Sequence, residues 1–199
     1  MTSRGAALAP ACLALIAFGA ALQAQVRNFE AEGNLAPNAP LQCTSLDRIS
    51  AASNPVDLYA AARDCLLQDR YKEARAIILL GDVRGRFDTK RVKDKTAHQA
   101  VLVAKQSALA SLDDERLSAL RESFRLSQDP SKRLDFCGAV GALAPPSYYP
   151  QYMISHGMGA FAGQSGSGPL VAEFDGPATY KDVVEDYLDC PEARSELAN

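Results

Sequence analysis

Apolar residues recur at helical intervals through most of this 199-residue chain. The clearest run is Tyr180, Val183, Val184, Tyr187 and Leu188, whose spacing puts all of them on one face of a helix. This run predicts a helix over residues 178–189. Strict alternation of apolar and polar residues, which a half-buried strand would show, is nearly absent. Residues 170–174 form the one segment that fits a strand, and it has no obvious partner strand in the sequence.

Capping signals mark where two of the other helices begin. Asn54 can cap a helix whose first residue is Pro55, and the acidic Asp57 follows three residues after the cap. Asp129 and Pro130 repeat the same combination further along the chain. Both positions therefore predict the first turn of a helix.

Three further helices are predicted between these two. A short one starts at Tyr71, and we expect Gly81 to stop it because glycine commonly ends helices. A longer one covers residues 88–111, and the next opens with a capping box made by Ser111 and Asp114.

The segment after the double proline completes the pattern. Residues 148–161 predict one more helix, with Pro150 in its first turn, where a missing N–H costs little. Together these elements predict an all-α fold class. We expect a compact bundle of about six to seven helices with two disulfides and no substantial sheet.

The N-terminal residues have the composition of a secretory signal peptide. Arg4 precedes an apolar run over residues 11–22, and Ala24 supplies a small residue at the expected cleavage position. The run is too short to span a bilayer comfortably, because a spanning helix needs about 20 apolar residues. An uncleaved anchor is the alternative. We therefore predict a signal peptide over residues 1–24, cleavage near Ala24, export to the periplasm and no stable membrane insertion.

The rest of the chain divides into a leader and one domain. Residues 25–53 hold few large apolar side chains and predict an extended leader tied down at Cys43. Residues 54–199 carry the helical pattern and predict a single helical domain. Without residues 1–24 the chain loses Arg4 alone of its 21 basic residues and none of its 24 acidic ones, so its net charge is −4. This acidic balance argues against general nucleic-acid binding, which needs a basic excess.

Four cysteines remain after the signal peptide, and an even number in an exported chain predicts disulfides. Four cysteines allow three pairings. We favour Cys43–Cys65 and Cys137–Cys190, because neighbours meet first as a chain emerges. A zinc site is the alternative, but the chain has no CxxC pair and both histidines lie far from the cysteines in sequence. We therefore predict neither a metal site nor a cofactor.

Residues 55–86 resemble a single helical hairpin of the tetratricopeptide type. The residues that match the motif's first helix are Leu58, Ala61, Ala62 and Cys65. Those that match its second helix are Tyr71, Ala74, Ile78 and Gly81. Cys65 replaces the usual aromatic residue and Arg86 the usual final proline, and no second copy follows at the motif's period. The resemblance implies a protein-binding surface, with a generic helical hairpin as the alternative.

The sequence offers few candidates for catalysis, and we name no catalytic residue. Ser165 lies in a Gly/Ser loop that lacks the second glycine of a nucleophile elbow, so we interpret the loop as a connector. His98 is expected on or near the solvated face of a helix. His156 follows Tyr152 by about one turn, which predicts a half-buried histidine hydrogen-bonded to a tyrosine. A general base assisted by carboxylates is the alternative for His156.

Two groups of residues are candidates for contact with a partner. The first group is basic and could steer an acidic protein, and it consists of Arg84, Arg86, Lys90, Arg91, Lys93 and Lys95. The second group is aromatic and could anchor an interface, and it consists of Tyr148, Tyr149 and Tyr152. Ordinary solvated surface is the alternative for the basic run, and closure of a core edge is the alternative for the tyrosines.

These observations favour protein binding over catalysis. In size, expected export, disulfides and the helical-hairpin resemblance, the chain looks like the immunity proteins that bacteria use against the toxins of secretion systems. We therefore predict a periplasmic protein-binding module, of the inhibitor or immunity type, that masks a secreted toxin or an envelope enzyme. The alternatives are a structural or adaptor protein of an envelope assembly, and a hydrolase built on His156 and carboxylates.

Overall fold

The computed structural model describes residues 30–162 and 168–190, so the predicted signal peptide and the loop around Ser165 lie outside the described residues. Within these ranges the helices are α1 (Pro55–Leu67), α2 (Tyr71–Arg91), α3 (Ala100–Leu109), α4 (Asp114–Leu126), α5 (Pro130–Gly141), α6 (Gln151–Ile154) and α7 (Gly176–Leu188). Short 3₁₀ helices cover Leu46–Arg48, Lys95–Gln99 and Met158–Ala160. The described residues form no strand, and Leu170 makes only an isolated bridge with Val92. The all-α prediction is confirmed.

The start of α1 follows the prediction and also holds the leader. Asn54 accepts a hydrogen bond from the Asp57 backbone N–H at 3.0 Å, and Asp57 accepts one from the Asn54 N–H at 2.8 Å. This reciprocal capping box follows a Pro55 start. The same Asp57 carboxylate accepts the backbone N–H groups of Asn38 and Ala39. The leader is therefore fixed to the first turn of α1.

The leader also meets the segment around α6. The Leu35 N–H donates to the Tyr152 carbonyl at 3.1 Å, and the Ser155 hydroxyl donates to the Glu32 carbonyl at 2.6 Å. A side-chain contact between Asn34 and His156 lies beside them. These bonds join two parts of the chain that are far apart in sequence.

The predicted stop of the second helix at Gly81 is wrong, because α2 continues to Arg91. A Cβ atom at Gly81 would lie 2.7 Å from Cε1 of Tyr59, inside van der Waals contact. Gly85 meets Val101 of α3 in the same way. The two glycines therefore let α1 and α3 approach α2 closely, and neither is a helix terminator.

The helix predicted over residues 88–111 is interrupted. Val92 has an extended backbone at the end of α2, and Asp94 then caps the short 3₁₀ helix by accepting the Thr96 N–H. α3 begins only at Ala100. The predicted cap of α4 also moves: Asp113, not Ser111, accepts the Arg116 N–H at 2.8 Å.

The helix predicted over residues 148–161 is reduced to the single turn of α6 and a short 3₁₀ helix. Beyond α6 the backbone N–H groups donate to side chains of the α2–α3 connection. The Met158 N–H donates to the Thr96 hydroxyl, and the Gly159 N–H donates to the Asp94 carboxylate. Gly157 packs closely on the same Asp94. These contacts with the α2–α3 connection replace the intrahelical bonds of a longer helix.

The core forms around α2, which packs against α1, α4 and α7, while α3 packs on α1 and meets α2 at Gly85. Both favoured disulfides are confirmed, as Cys43–Cys65 and Cys137–Cys190. The second links α5 to the end of α7, and α5 packs mainly on α7 and the 3₁₀ helix Leu46–Arg48. None of the described helices is long and apolar enough to span a bilayer.

Candidate functional site

Arg84, the first residue of the predicted basic run, is fully buried. Its Nη1 donates to the carbonyl oxygens of Ser50 and Ser53, at 2.9 and 2.5 Å. The guanidinium therefore ties the end of the leader to α2. Since it has no exposed surface, Arg84 cannot contact a partner, and its assignment to a binding surface is corrected.

Arg91 belongs to a second buried cluster, centred on Asp88. The Asp88 carboxylate accepts the hydroxyls of Tyr148 and Tyr152, both at 2.8 Å, and pairs with the Arg91 guanidinium at 2.6 Å. Burial raises the pKa of the Asp88 carboxyl, while the Arg91 charge acts in the opposite direction. The Arg91 guanidinium lies 5.0 Å from the Tyr148 ring centre. The cluster therefore closes the core around the 148–152 segment.

Of the three candidate tyrosines, only Tyr149 faces solvent, with 51% of its surface exposed. Tyr148 and Tyr152 are buried, so their assignment to a partner surface is corrected. Burial and then the Asp88 charge raise the pKa of both hydroxyls well above the usual value for tyrosine. Core closure, the alternative interpretation, holds for these two residues.

The remaining basic residues lie at the surface. The Arg86 guanidinium stacks on the Tyr187 ring, 4.2 Å from its centre. Lys90 and Lys95 are exposed, and the exposed Lys93 donates from Nζ to the Gly168 carbonyl. The predicted basic patch is therefore reduced to the residues around the C-terminal end of α2.

Neither histidine lies in a recognisable catalytic arrangement. His98 Nε2 lies 2.9 Å from the Val92 carbonyl, and His156 Nδ1 lies 2.9 Å from the Asn34 amide oxygen. The half-buried position predicted for His156 is confirmed, but its partner is an amide, not a tyrosine. Within residues 30–162 and 168–190, no three His, Cys, Asp or Glu side chains come together as a group that could hold a metal.

An open cavity of about 690 Å³ lies beside α5 and is bordered by α2, α4 and the 3₁₀ helix Leu46–Arg48. A second cavity, of about 430 Å³, continues it towards the end of α7. Both are lined by Arg75 of α2 and by Lys132 and Phe136 of α5. We call the two cavities together the α5 groove. It exists because α5 is attached through α7 and leaves α2 and α4 partly uncovered.

The α5 groove has an apolar floor. Its apolar lining residues are Leu46, Ala76, Leu79, Phe124, Leu126 and Phe136. Leu126, at the end of α4, is 57% exposed. Because large apolar side chains are usually covered, such a floor is typical of a surface that contacts another molecule.

Basic side chains line the α5 groove. Arg75 donates from Nη1 to the Ser123 carbonyl at 2.7 Å, and partial burial lowers the pKa of its guanidinium. Neither Arg75, Lys72 nor Lys132 forms an ion pair with a carboxylate of the described residues. Glu73, also at the groove, pairs with Arg70 at 3.2 Å.

Our sequence analysis missed the α5 groove. Its residues come from five elements that are separated in sequence, so no local motif marks it. One signal was present: apolar and small residues occur around much of α5, and Phe136 and Leu134 fall on different faces. A helix with apolar residues on several faces needs more than one packing partner, and α7 covers only one side.

Comparisons with family models, curated proteins and solved structures find no match to this chain.

Proposed function

We propose that this chain is an exported protein-binding module that masks another protein by direct contact, as an inhibitor or immunity-type protein does. The observation that carries the proposal is the α5 groove, with its apolar floor and basic side chains. Its larger cavity, about 690 Å³, falls in the range of roughly 300–1,000 Å³ that binding clefts occupy. A groove of this kind can receive the apolar anchors of a partner, which supply most of the energy of protein interfaces.

The two disulfides support the proposal in two ways. The disulfides Cys43–Cys65 and Cys137–Cys190 are compatible with export, because such bonds persist mainly outside the cytosol. The second of them holds α5, one wall of the groove, to α7. The wall is therefore covalently tied to the core even though few residues pack behind it.

The environment of His156 favours binding over hydrolysis. A general base is usually hydrogen-bonded to the nucleophile it activates and oriented by a third group. The His156 ring instead meets the Asn34 amide, next to the bonds that hold the leader to the α6 segment. This position gives the histidine a role in joining the two segments.

Photocrosslinking tests the proposed function. A photoreactive phenylalanine analogue replaces Leu126 in the α5 groove or, as the matched control, Leu102 on α3, which is 53% exposed. We expect a discrete crosslinked protein from position 126 and none from position 102. The captured protein, once purified, should bind the unmodified chain and lose its own activity when bound.

The binding measurement uses the same two positions. Leu126→Ser should weaken the affinity for the captured protein by roughly tenfold or more, since a buried leucine contributes about 1.5–3 kcal/mol. Leu102→Ser should leave the affinity unchanged. Equal crosslinking at both positions, or equal affinities of both variants, would show that the α5 groove is not the binding surface.

A further inference from the structure

The charge around the α5 groove is opposite to that of the chain. The cations that line it are Lys72, Arg75, Lys132 and Arg133, and the acids are Glu73 and Asp135. Glu73 is neutralised by Arg70, and Arg133 by Asp189 at 3.2 Å. Among the described residues the excess at the groove is therefore positive, whereas the chain as a whole carries a net charge of −3. An anionic partner is favoured here despite repulsion from the rest of the protein.

The cations are placed where a partner would meet them. Lys132 and Phe136 are one helical turn apart on α5 and both line the groove, so a basic and an apolar side chain share that side of the helix. Arg75 lies between the two cavities, and the bond it makes is to a neutral carbonyl of α4. In the part of the chain that the structure describes, no carboxylate compensates the charge of this guanidinium, and a carboxylate is the group it recognises best.

We propose that the α5 groove receives an acidic amphipathic helix of the partner, whose large apolar side chains enter the two cavities while its carboxylates meet Lys72, Arg75 and Lys132. This inference rests on the proposed function and specifies the partner's chemistry. The cavities of about 690 and 430 Å³ have room for a few side chains, not for a whole helix. The helix therefore lies on the groove and inserts one face, as amphipathic helices do in other hydrophobic grooves.

Synthetic peptides test the proposal with the full chain. One amphipathic helical peptide carries leucine on one face and glutamate on the other. A second replaces every glutamate with lysine, and a third replaces every leucine with serine. We expect only the leucine–glutamate peptide to bind, measured by fluorescence anisotropy, and its affinity should fall as salt is raised because the charges are partly exposed.

Charge reversal at the groove provides the matched comparison. Lys72→Glu with Lys132→Glu should weaken binding of the leucine–glutamate peptide by roughly tenfold, since two exposed pairs become two repulsions of the order of 1 kcal/mol in total. Lys90→Glu with Lys95→Glu changes the overall charge equally, outside the groove, and should change the affinity less than twofold. Equal weakening by both double variants, or equal binding of the glutamate and lysine peptides, would overturn the proposal.

A small anionic amphiphile is the competing occupant. Dodecanoate offers a carboxylate and an apolar chain without a helix. If dodecanoate binds, loses affinity in Arg75→Ala, and no leucine–glutamate peptide binds, the occupant is a small molecule and the helix proposal is wrong.

The two proposals fail in different ways. If the protein captured at position 126 binds through a segment without acidic residues, the acidic-helix inference is wrong and the proposed function stands. If the leucine–glutamate peptide binds as expected and position 126 captures no protein, the proposed function is wrong.

Discussion

Asp88 and Arg84 lie on the stripe of α2 that carries its buried apolar residues. From Ile77 the positions Gly81, Arg84 and Asp88 follow at intervals of four, three and four, the spacing of one helix face. Both charged side chains are buried and bonded to the leader or to the α6 segment. A charged side chain at these positions points towards the protein interior, because the helical repeat places it on the buried face of α2.

This phase explains an error of our sequence analysis. The basic run groups residues by their closeness in sequence. This grouping treats Arg84 and Lys90 alike, although they lie on different faces of α2. The 3.6-residue period separates them. The partners of Arg84, however, are backbone carbonyls of the leader, and nothing in the local sequence identifies those.

Removing one hydroxyl from the Asp88 cluster measures its contribution. Tyr152→Phe deletes a hydrogen bond to a buried carboxylate and should lower the free energy of unfolding by about 1.5–3 kcal/mol. Tyr149→Phe, at the exposed tyrosine three positions earlier, should change it by less than about 0.5 kcal/mol. Urea denaturation at neutral pH gives both values, and equal values would contradict a stabilising role for the cluster.

The same cluster contributes to the loss of stability at alkaline pH. The pKa of Tyr152 is raised in the folded state, so its proton is retained when the unfolded chain has already lost it near pH 10. Stability therefore falls as the pH rises above 10, by about 1.4 kcal/mol per pH unit for each such tyrosine. In Tyr152→Phe this dependence should be shallower by about that amount; an unchanged slope would mean that Tyr152 ionises normally.

At the scale of the elements, the starts of helices were easier to predict than their ends. A cap such as Asn54 or Asp129 acts on its own first turn, so local residues suffice. The end of α2 and the shortness of α6 depend on contacts with distant segments: Tyr59 at Gly81, and Asp94 at Gly159. A glycine in a helical pattern can either end the helix or let a neighbouring helix pack closely against it. Only the position of the neighbouring helix distinguishes these two roles.

The change in stability on glycine-to-alanine substitution tests whether a glycine is needed for close packing. Gly81→Ala should destabilise the protein by about 1–3 kcal/mol, because the Tyr59 ring is buried and its hydroxyl is bonded to Asp82 at 2.7 Å. Gly138→Ala is the matched control on α5, where no atom of another described element lies within 4 Å of the added methyl. It should stabilise the protein by about 0.5–1 kcal/mol through helix propensity. Thermal and urea denaturation give both values, and a stabilising Gly81→Ala would contradict the close packing of α1 on α2.

At the scale of the whole molecule, the two disulfides secure different parts. Cys43–Cys65 ties the leader to α1, where hydrogen bonds of Asp57 and Asp64 already hold it. Cys137–Cys190 holds α5, which has cavities on two sides. The fold class followed from the sequence because helical periods are local properties, whereas the pairing of neighbouring cysteines was favoured among three possibilities and is confirmed. The α5 groove was not predicted, since it depends on how much of α2 and α4 the helix α5 leaves uncovered.

Removal of Cys137–Cys190 should have a local effect. By chain entropy its loss costs about 4 kcal/mol, against about 3 kcal/mol for the shorter Cys43–Cys65 loop. In Cys137→Ser with Cys190→Ser, hydrogen exchange should lose protection over α5 and the end of α7 while α1 keeps it. Cys43→Ser with Cys65→Ser is the control, and its amides in α5 should keep their protection. Equal loss across all helices in both variants would show that α5 is not held separately.

The hydrogen bonds between the leader and the α6 segment impose an order on folding. The Asn34–His156 contact closes a stretch of 122 residues, at an entropic cost of about 4 kcal/mol. A chain that enters its folding compartment from the N-terminus can form α1 and α2 early, but the leader finds these partners only after most of the domain has arrived. Such distant closure slows folding relative to helical proteins built from neighbouring contacts. During that interval the Leu35 N–H and the Glu32 carbonyl stay bonded to water. The protein is most open to proteases before its first and last thirds have met.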